Sequence, residues 1–383
     1  LVNFEDTSIG ANVSGAALNL GARVQMNASY GVRTSPDYEN DPNSLVDWQG
    51  YEPYPGCVVT KNVGAGMPYA TISAGLAALP QTLAGHSCVV IRDGATYVEQ
   101  VTVQNFTNNG SSITILADPA SGLTPVVSPP ALSTAAFRIT NASVSIQGIN
   151  IIVTQDIPYG VWSSSAYVQL SSIAVSTNGS LGIYIAGIRI SSWTTVSYSS
   201  VTVAAADALR LDNTSRMSVV RYSAFQAQGT RALQISGSSN TIIGVRAHNP
   251  ISYAAFLSNN VSYNMISQST FTSSNASVEA LFINSGSSFN MITQSYISNA
   301  TGGGAGLTSS ADYNTISFST ITSYGSGSGL YVSGAASNTF TQNIIFSAAG
   351  YGLYLTGAQG NIISLSTMTS NGAGLSALHL VGS

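Results

Sequence analysis

The side chains able to do chemistry are few, and their spacing can be read directly. Charged residues crowd into one stretch: Asp207, Arg210, Asp212, Arg216, Arg221, Arg231 and Arg246, with His248 beside them. General acid–base work needs two titratable groups facing each other across a cleft. After Asp118 the only acids are Asp156, Asp207, Asp212, Glu279 and Asp312, and no second group can be placed opposite any of them. Asp207 precedes Ala-Leu-Arg-Leu, and Arg231 precedes Ala-Leu-Gln-Ile at the same offset. The two are expected to stack in neighbouring turns of a repeat as an exposed cross-strand ion pair, contributing roughly 0–1 kcal/mol. A ligand patch and a catalytic acid are the competing readings. His86, His248 and His379 fall in different parts of the chain and read as surface or turn residues. No metal site, phosphate loop or cofactor motif is found. Cys57 and Cys88 are the two cysteines. A disulfide between them would suit an extracytoplasmic compartment; two buried thiols are the alternative.

These residues must be positioned by a repeat. Asn-x-Ile/Phe recurs at Asn240, Asn264, Asn290, Asn314, Asn338 and Asn361, in steps of 24, 26, 24, 24 and 23 residues. A small residue followed by apolar alternation keeps the same beat at Ala280-Leu-Phe-Ile, Gly329-Leu-Tyr-Val, Gly352-Leu-Tyr-Leu and Ala377-Leu-His-Leu. Such periods signal stacked units that cannot bury their apolar faces alone. Apolar pairs five residues apart count ten coils, from Val144/Ile149 to Ile363/Met368. Ile292, Ile316 and Phe340 should therefore pile in one row. The recurring Asn reads as a structural ladder bonded to the backbone of neighbouring coils.

Before the repeat, residues 1–56 carry seven acids against two arginines and do not fit the pattern. They read as an arm, lid or docking piece, with one or two strands near Ala17-Leu-Asn-Leu and Arg23-Val-Gln-Met. Residues 57–383 read as one solenoid. Near its start, Ile72, Leu76 and Leu79 lie between Pro68 and Pro80 at the spacing of one helical face. A short capping helix over about 69–79, lying across the open end of the first coil, is expected. The chain stops at Ser383 in mid-coil, which suggests either more polypeptide or coverage by another copy.

The 383 residues are 44% hydrophobic and 7% charged, with a net charge of −4 and one lysine, Lys61. That balance argues against nucleic-acid partners. No run of about 18 apolar residues suggests a membrane span.

The pattern Asn-x-Ile-x-x-Ser/Asn-x-Ile followed by Gly-Leu-Tyr-Val resembles the right-handed parallel β-helix repeats of the pectin-lyase-like superfamily, of the carbohydrate-binding and sugar-hydrolase type. Tyr69 to Pro80, then Val89-Val-Ile-Arg-Asp-Gly-Ala-Thr-Tyr-Val-Glu, looks like the opening helix and first strand of pectinesterase-like members. The resemblance covers about residues 57–383 and implies an all-β solenoid with coils of about 24 residues. It leaves activity open, because the superfamily holds lyases, hydrolases, esterases, adhesins and fibres. The paired aspartates and Gly-His-Gly of polygalacturonase-like members are missing. So are the clustered carboxylates of pectate-lyase-like members. Gln155-Asp156 matches one half of a pectinesterase pair, without the second aspartate segment.

The outward position of the Gly-Leu-Tyr-Val strand, read coil by coil, gives Trp162, Tyr184, Arg210, Gln234, Leu257, Phe282, Thr308, Tyr331, Tyr354 and His379. The aromatic members Trp162, Tyr184, Phe282, Tyr331 and Tyr354 form the expected interaction face. Coverage by a neighbouring copy, a plain stacking ladder and a sugar platform are the three readings of that face. The leading expectation is an extracellular or cell-surface structural protein that associates with itself, as a surface or filament subunit. The alternatives are a polysaccharide lyase, hydrolase or esterase, and a non-catalytic glycan-binding adhesin. The expected partners are other copies of the chain, with glycans second.

Overall fold

The computed structural model describes residues 2–3, 24–25, 54–177 and 185–383. The described residues are all-β apart from one short helix. Three parallel sheets wind together, the first of 13 strands and the second and third of 12 each. In the first sheet, Val59–Val63 pairs with Ser87–Ile91, then Ile113–Ala117, and so on to Ile362–Ser364. The ten coils counted from Asn141 are present, and three more precede them. At about 4.8 Å per step, twelve steps make a stack on the order of 58 Å long.

Register is set by the apolar rows. Ile292 pairs with Ile316 and Ile316 with Phe340, and all three are fully buried. The core is one continuous cluster from Val59 to Ala358 rather than a globular centre. At its first coils lies the helix Ile72–Ala77, shorter than the sequence suggests. Thr71 Oγ1 accepts from Ala74 N, and the Glu99 carboxylate accepts from Ile72 N (2.8 Å) and Ser73 N (3.0 Å). A carboxylate there offsets the positive end of the helix. Gly75 lets the helix press onto the strands, since a Cβ would sit 2.8 Å from Val63 Cγ2 and 3.1 Å from Val89 Cγ1.

The asparagine ladder is internal. Asn240, Asn264, Asn290, Asn314 and Asn338 are at most 1% exposed. Each side-chain oxygen from Asn264 onward accepts the backbone N–H of the preceding member, at 2.7–3.0 Å. A second ladder marks the next corner. Ser223, Ser269, Ser295 and Ser319 accept from Ser199 N, Val245 N, Ser269 N and Ser295 N, and Asn343 accepts from Ser319 N. These side chains satisfy buried backbone donors that the turns leave without a ladder partner.

Of the N-terminal region, Val2–Asn3 pairs in parallel with Val24–Gln25. The rest of the arm up to residue 53 lies outside the described residues. Cys57 and Cys88 are disulfide-bonded, with Cα atoms 5.9 Å apart, tying the approach segment to the second coil. No helix among the described residues is long and apolar enough to cross a membrane.

Candidate functional site: the outer face of the third sheet

The strands of the third sheet alternate core-facing and outward residues, and their register defines an outward column. It runs Arg138, Trp162, Arg189, Arg210, Gln234, Phe256, Phe282, Gly306, Tyr331, Tyr354 and His379. Trp162, Phe282, Tyr331 and Tyr354 occupy it, whereas Tyr184 lies outside the described residues. Two expected members are corrected. Leu257 points into the core, fully buried, and Phe256 takes its place. Thr308 pairs with Ser333, two residues beyond the column, and Gly306 takes that rung. At that rung Ala305 and Leu307 both fill the core, so the outward residue falls between them. Arg189 was missed. The 21 residues from Ile188 to its register partner Leu209 fall short of the usual step.

A second outward column, three residues earlier, holds Tyr159, Asp207, Arg231, Tyr253 and Glu279. Between them the two columns build a mixed aromatic and charged track. At one end Arg138 lies over the Trp162 ring at 5.5 Å. Arg189 lies over the Tyr159 ring at 5.5 Å, donates from Nη1 to Tyr159 Oη (2.7 Å) and from Nε to Asp212 Oδ2 (3.1 Å), and also reaches Asp212 through Nη2. In mid-track Arg231 lies over the Phe256 ring at 4.4 Å. Tyr253 stacks on Phe282 at 5.2 Å. At the far end Tyr331, Tyr351, Tyr354 and His379 cluster, with Tyr351 stacked on His379 at 4.3 Å. Such arginine–ring contacts strengthen as water is excluded.

Asp207 and Arg231 approach to 4.0 Å, but the aspartate side chain is only 3% exposed, so the expected exposed pair is instead half-buried. Thr230 Oγ1 donates to Asp207 Oδ1. Burial raises the Asp207 pKa despite that bond and the Arg231 and Arg210 charges. Glu279 is raised as well, chiefly by burial. Its side chain lies flat on the next coil because that coil offers glycines. A Cβ on Gly306 would be 3.0 Å from Glu279 Cγ and 2.9 Å from Phe282 Cδ2, and one on Gly303 would be 3.1 Å from Glu279 Cγ.

Two desolvated carboxyls on one face suggest glycoside chemistry, but their spacing argues against it. Asp207, Arg231, Tyr253 and Glu279 occupy successive rungs, so the carboxyls are three steps, about 14 Å, apart. Paired-carboxylate hydrolysis needs about 5–5.5 Å for retention or 6.5–9.5 Å for inversion. The track can stack, hydrogen-bond and neutralise charge; it does not present that pair. Gln234 Oε1 and the Nε atoms of Arg138 and Arg210 are buried without hydrogen-bond partners.

A different set of aromatics is more exposed, and the sequence reading passed over it. Tyr167, Trp193, Tyr263, Phe289 and Tyr313 stand at the corner before the first sheet, and Tyr198, Tyr222 and Phe318 at the corner after it. All have positive φ, from 49° to 60°. For a bulky residue that costs about 1–2 kcal/mol. The signal was present: in Tyr263-Asn264, Phe289-Asn290 and Tyr313-Asn314 the ring immediately precedes a ladder asparagine.

Cys57, His86 and Cys88 converge, with ligand atoms within 4.8 Å of one another. Both sulfurs are committed to the disulfide, and His86 Nδ1 is 2.6 Å from Ser112 Oγ, so the group is structural as it stands.

Among known proteins, residues 231–381 match the family model described as "right handed beta helix region". No curated protein matches the sequence. Among solved structures, the Dettilon tailspike protein is similar over 81% of this chain at 14% identity, with a TM-score of 0.53; the chain spans 64% of that protein's length. A mannuronic acid specific polysaccharide family 6 lyase from human gut microbiota is similar over 80% of this chain and 83% of its own, at 10% identity and a TM-score of 0.48. The pectate lyase Pel9A is similar over 80% of this chain and 76% of its own, at 13% identity and a TM-score of 0.36. In fold, this chain is a right-handed parallel β-helix.

Proposed function

We propose that the chain is an extracellular, non-catalytic glycan-binding β-helix that holds a polysaccharide along the outer face of its third sheet. One observation carries the reading: ring faces and arginines share a continuous track from Arg138 to His379, parallel to the solenoid axis. Partly exposed rings such as Trp162, Tyr331 and Tyr354 can stack on the apolar faces of sugars, as aromatic side chains commonly do in ligand sites. Arg189 and Arg231 already face Asp212 and Asp207; Arg138 and Arg210 supply donors that pair best with carboxylates, so an acidic glycan is favoured over a neutral one. The coil rise is comparable with the length of one sugar unit, so an extended chain could meet one rung per residue. The disulfide supports an oxidising compartment. The likeness to a tailspike supplies the scaffold for this reading; the residues of the track supply its chemistry.

The test is affinity electrophoresis through gels holding acidic or neutral polysaccharides, with product analysis in parallel. Retardation by an acidic glycan, without release of shorter chains, is expected. Tyr331→Ala with Tyr354→Ala should weaken it at least about tenfold, the loss of roughly 1.4 kcal/mol or more. No retardation by any polysaccharide would end the reading, and released product would make the protein an enzyme. Self-association, the role the sequence favours, would compete with a glycan if a second copy covered this same face.

A further inference from the structure

We propose that the two aromatic columns flanking the first sheet are the contact surface between two copies of this chain, packed side by side and antiparallel. The first column runs Tyr167, Trp193, Met217, Ser239, Tyr263, Phe289, Tyr313 and Ser337; the second mixes rings with polar residues and runs Ser172, Tyr198, Tyr222, Gly244, Gln268, Gln294, Phe318, Gln342 and Leu365. Rings are not required by these corners. Ser239, Ser337 and Gly244 stand at equivalent corners with the same positive φ, so smaller residues meet the backbone's demand at lower strain. Rings have nonetheless been placed where they project, each aromatic being 47% to 64% exposed.

How the rings are arranged decides the kind of partner. Tyr263, Phe289 and Tyr313 stack face on face at 5.4 and 5.0 Å, with planes within 12° and 3°. Tyr167 with Trp193, and Tyr198 with Tyr222, stack likewise at 5.7 Å. Their faces are therefore largely taken by each other, and edges point outward. A sugar needs a free ring face; another protein surface packs well against edges. The amount of surface also fits. Eight aromatics at about half exposure offer roughly 900 Å², against about 800 Å² per partner in a standard interface.

The order of the rings sets the orientation. Tyr167, Trp193 and Met217 form one group and Tyr263, Phe289 and Tyr313 another, separated by the single coil that carries Ser239 and Gly244. A two-fold axis through that coil lays each group on the other group of the partner, a self-complementary contact of the kind closed dimers use. Charge agrees at the level of the groups. Arg216 and Arg221 adjoin the first group and Asp312 the second, so the antiparallel arrangement puts opposite signs on facing groups, two coils, about 10 Å, apart along the axis. A parallel one would set like against like.

Sedimentation equilibrium of the purified chain at about 50 μM, above the micromolar dissociation constants at the weak end for this area, should give twice the 39.4 kDa mass. The triple variant Tyr263→Ser, Phe289→Ser, Tyr313→Ser should be monomeric with an unchanged circular dichroism spectrum, because serine is already native at equivalent corners. Its retardation by glycan should be unchanged, which separates this surface from the third-sheet track. Ser239→Cys should link two copies covalently under mild oxidation. A monomeric wild type, or a dimer that persists in a folded triple variant, overturns the proposal; failure of Ser239→Cys to link copies overturns the antiparallel arrangement.

Discussion

Replacing Asn290 by alanine should remove one rung from the internal ladder, and the cost can be worked from its bonds. Asn290 Oδ1 accepts from Asn264 N and from Asn264 Nδ2, both at 3.0 Å. Its Nδ2 donates to Val261 O (3.0 Å), Ser288 O (3.2 Å) and Asn314 Oδ1 (3.0 Å). The acceptors suffer less, since Val261 O still receives Ser288 N and Asn314 Oδ1 still receives Asn290 N. The two donors of Asn264 lose their partner in a residue only 1% exposed. At about 1–3 kcal/mol for each buried group left unsatisfied, the variant should lose roughly 2–6 kcal/mol. Urea unfolding followed by circular dichroism reads this as a lower midpoint. Asn371→Ala, at an exposed position, serves as the control and should move the midpoint by less than about 0.5 kcal/mol. Equal, small shifts for both variants would refute the idea that the amide ladder holds the corners together.

Further outcomes follow from the same structure. Reducing the Cys57–Cys88 disulfide releases a loop of 31 residues, which the chain-entropy relation values at about 3–4 kcal/mol; calorimetry with and without a dithiol should show lower stability, and an unchanged transition would mean the bond constrains nothing. Glu279 titrates above its ordinary value of 4.5 because it is buried, so the fold holds this proton more tightly than the unfolded chain does. The stability it contributes is complete below 4.5 and is lost as pH rises through the raised value. Stability should therefore fall as pH rises above 4.5. Glu279→Gln should flatten part of that fall, leaving the part due to Asp207, whose pKa is also raised. A wild-type profile that instead rises with pH over that interval would contradict both assignments.

The sequence disclosed the winding because winding is periodic. Ile292, Ile316 and Phe340 repeat at a step the eye can count, and their row in the first sheet follows. The face that carries the track was also legible, but not all of its rungs. The strand pattern points to Leu257 and Thr308, and the structure puts Phe256 and Gly306 there, because local shifts change which residue turns outward. Such shifts depend on how two adjacent small residues share the core, which no single repeat reveals. Asp207 was read as exposed because it is charged. Its burial comes from Thr230 and Arg231 of the next coil, a relation between coils rather than within one. The corner aromatics were missed for another reason. A residue type that disfavours positive φ draws no attention in a turn until the dihedral angle is known.

The most direct test of the glycan reading is a structure of the protein with a bound acidic oligosaccharide. The account predicts sugar rings laid along the third sheet, parallel to the solenoid axis, with a carboxylate facing Arg138 or Arg210 and a ring face against Tyr331, Tyr354 or Trp162. Sugar found instead on the first or second sheet, with the Arg138-to-His379 face empty, would contradict it.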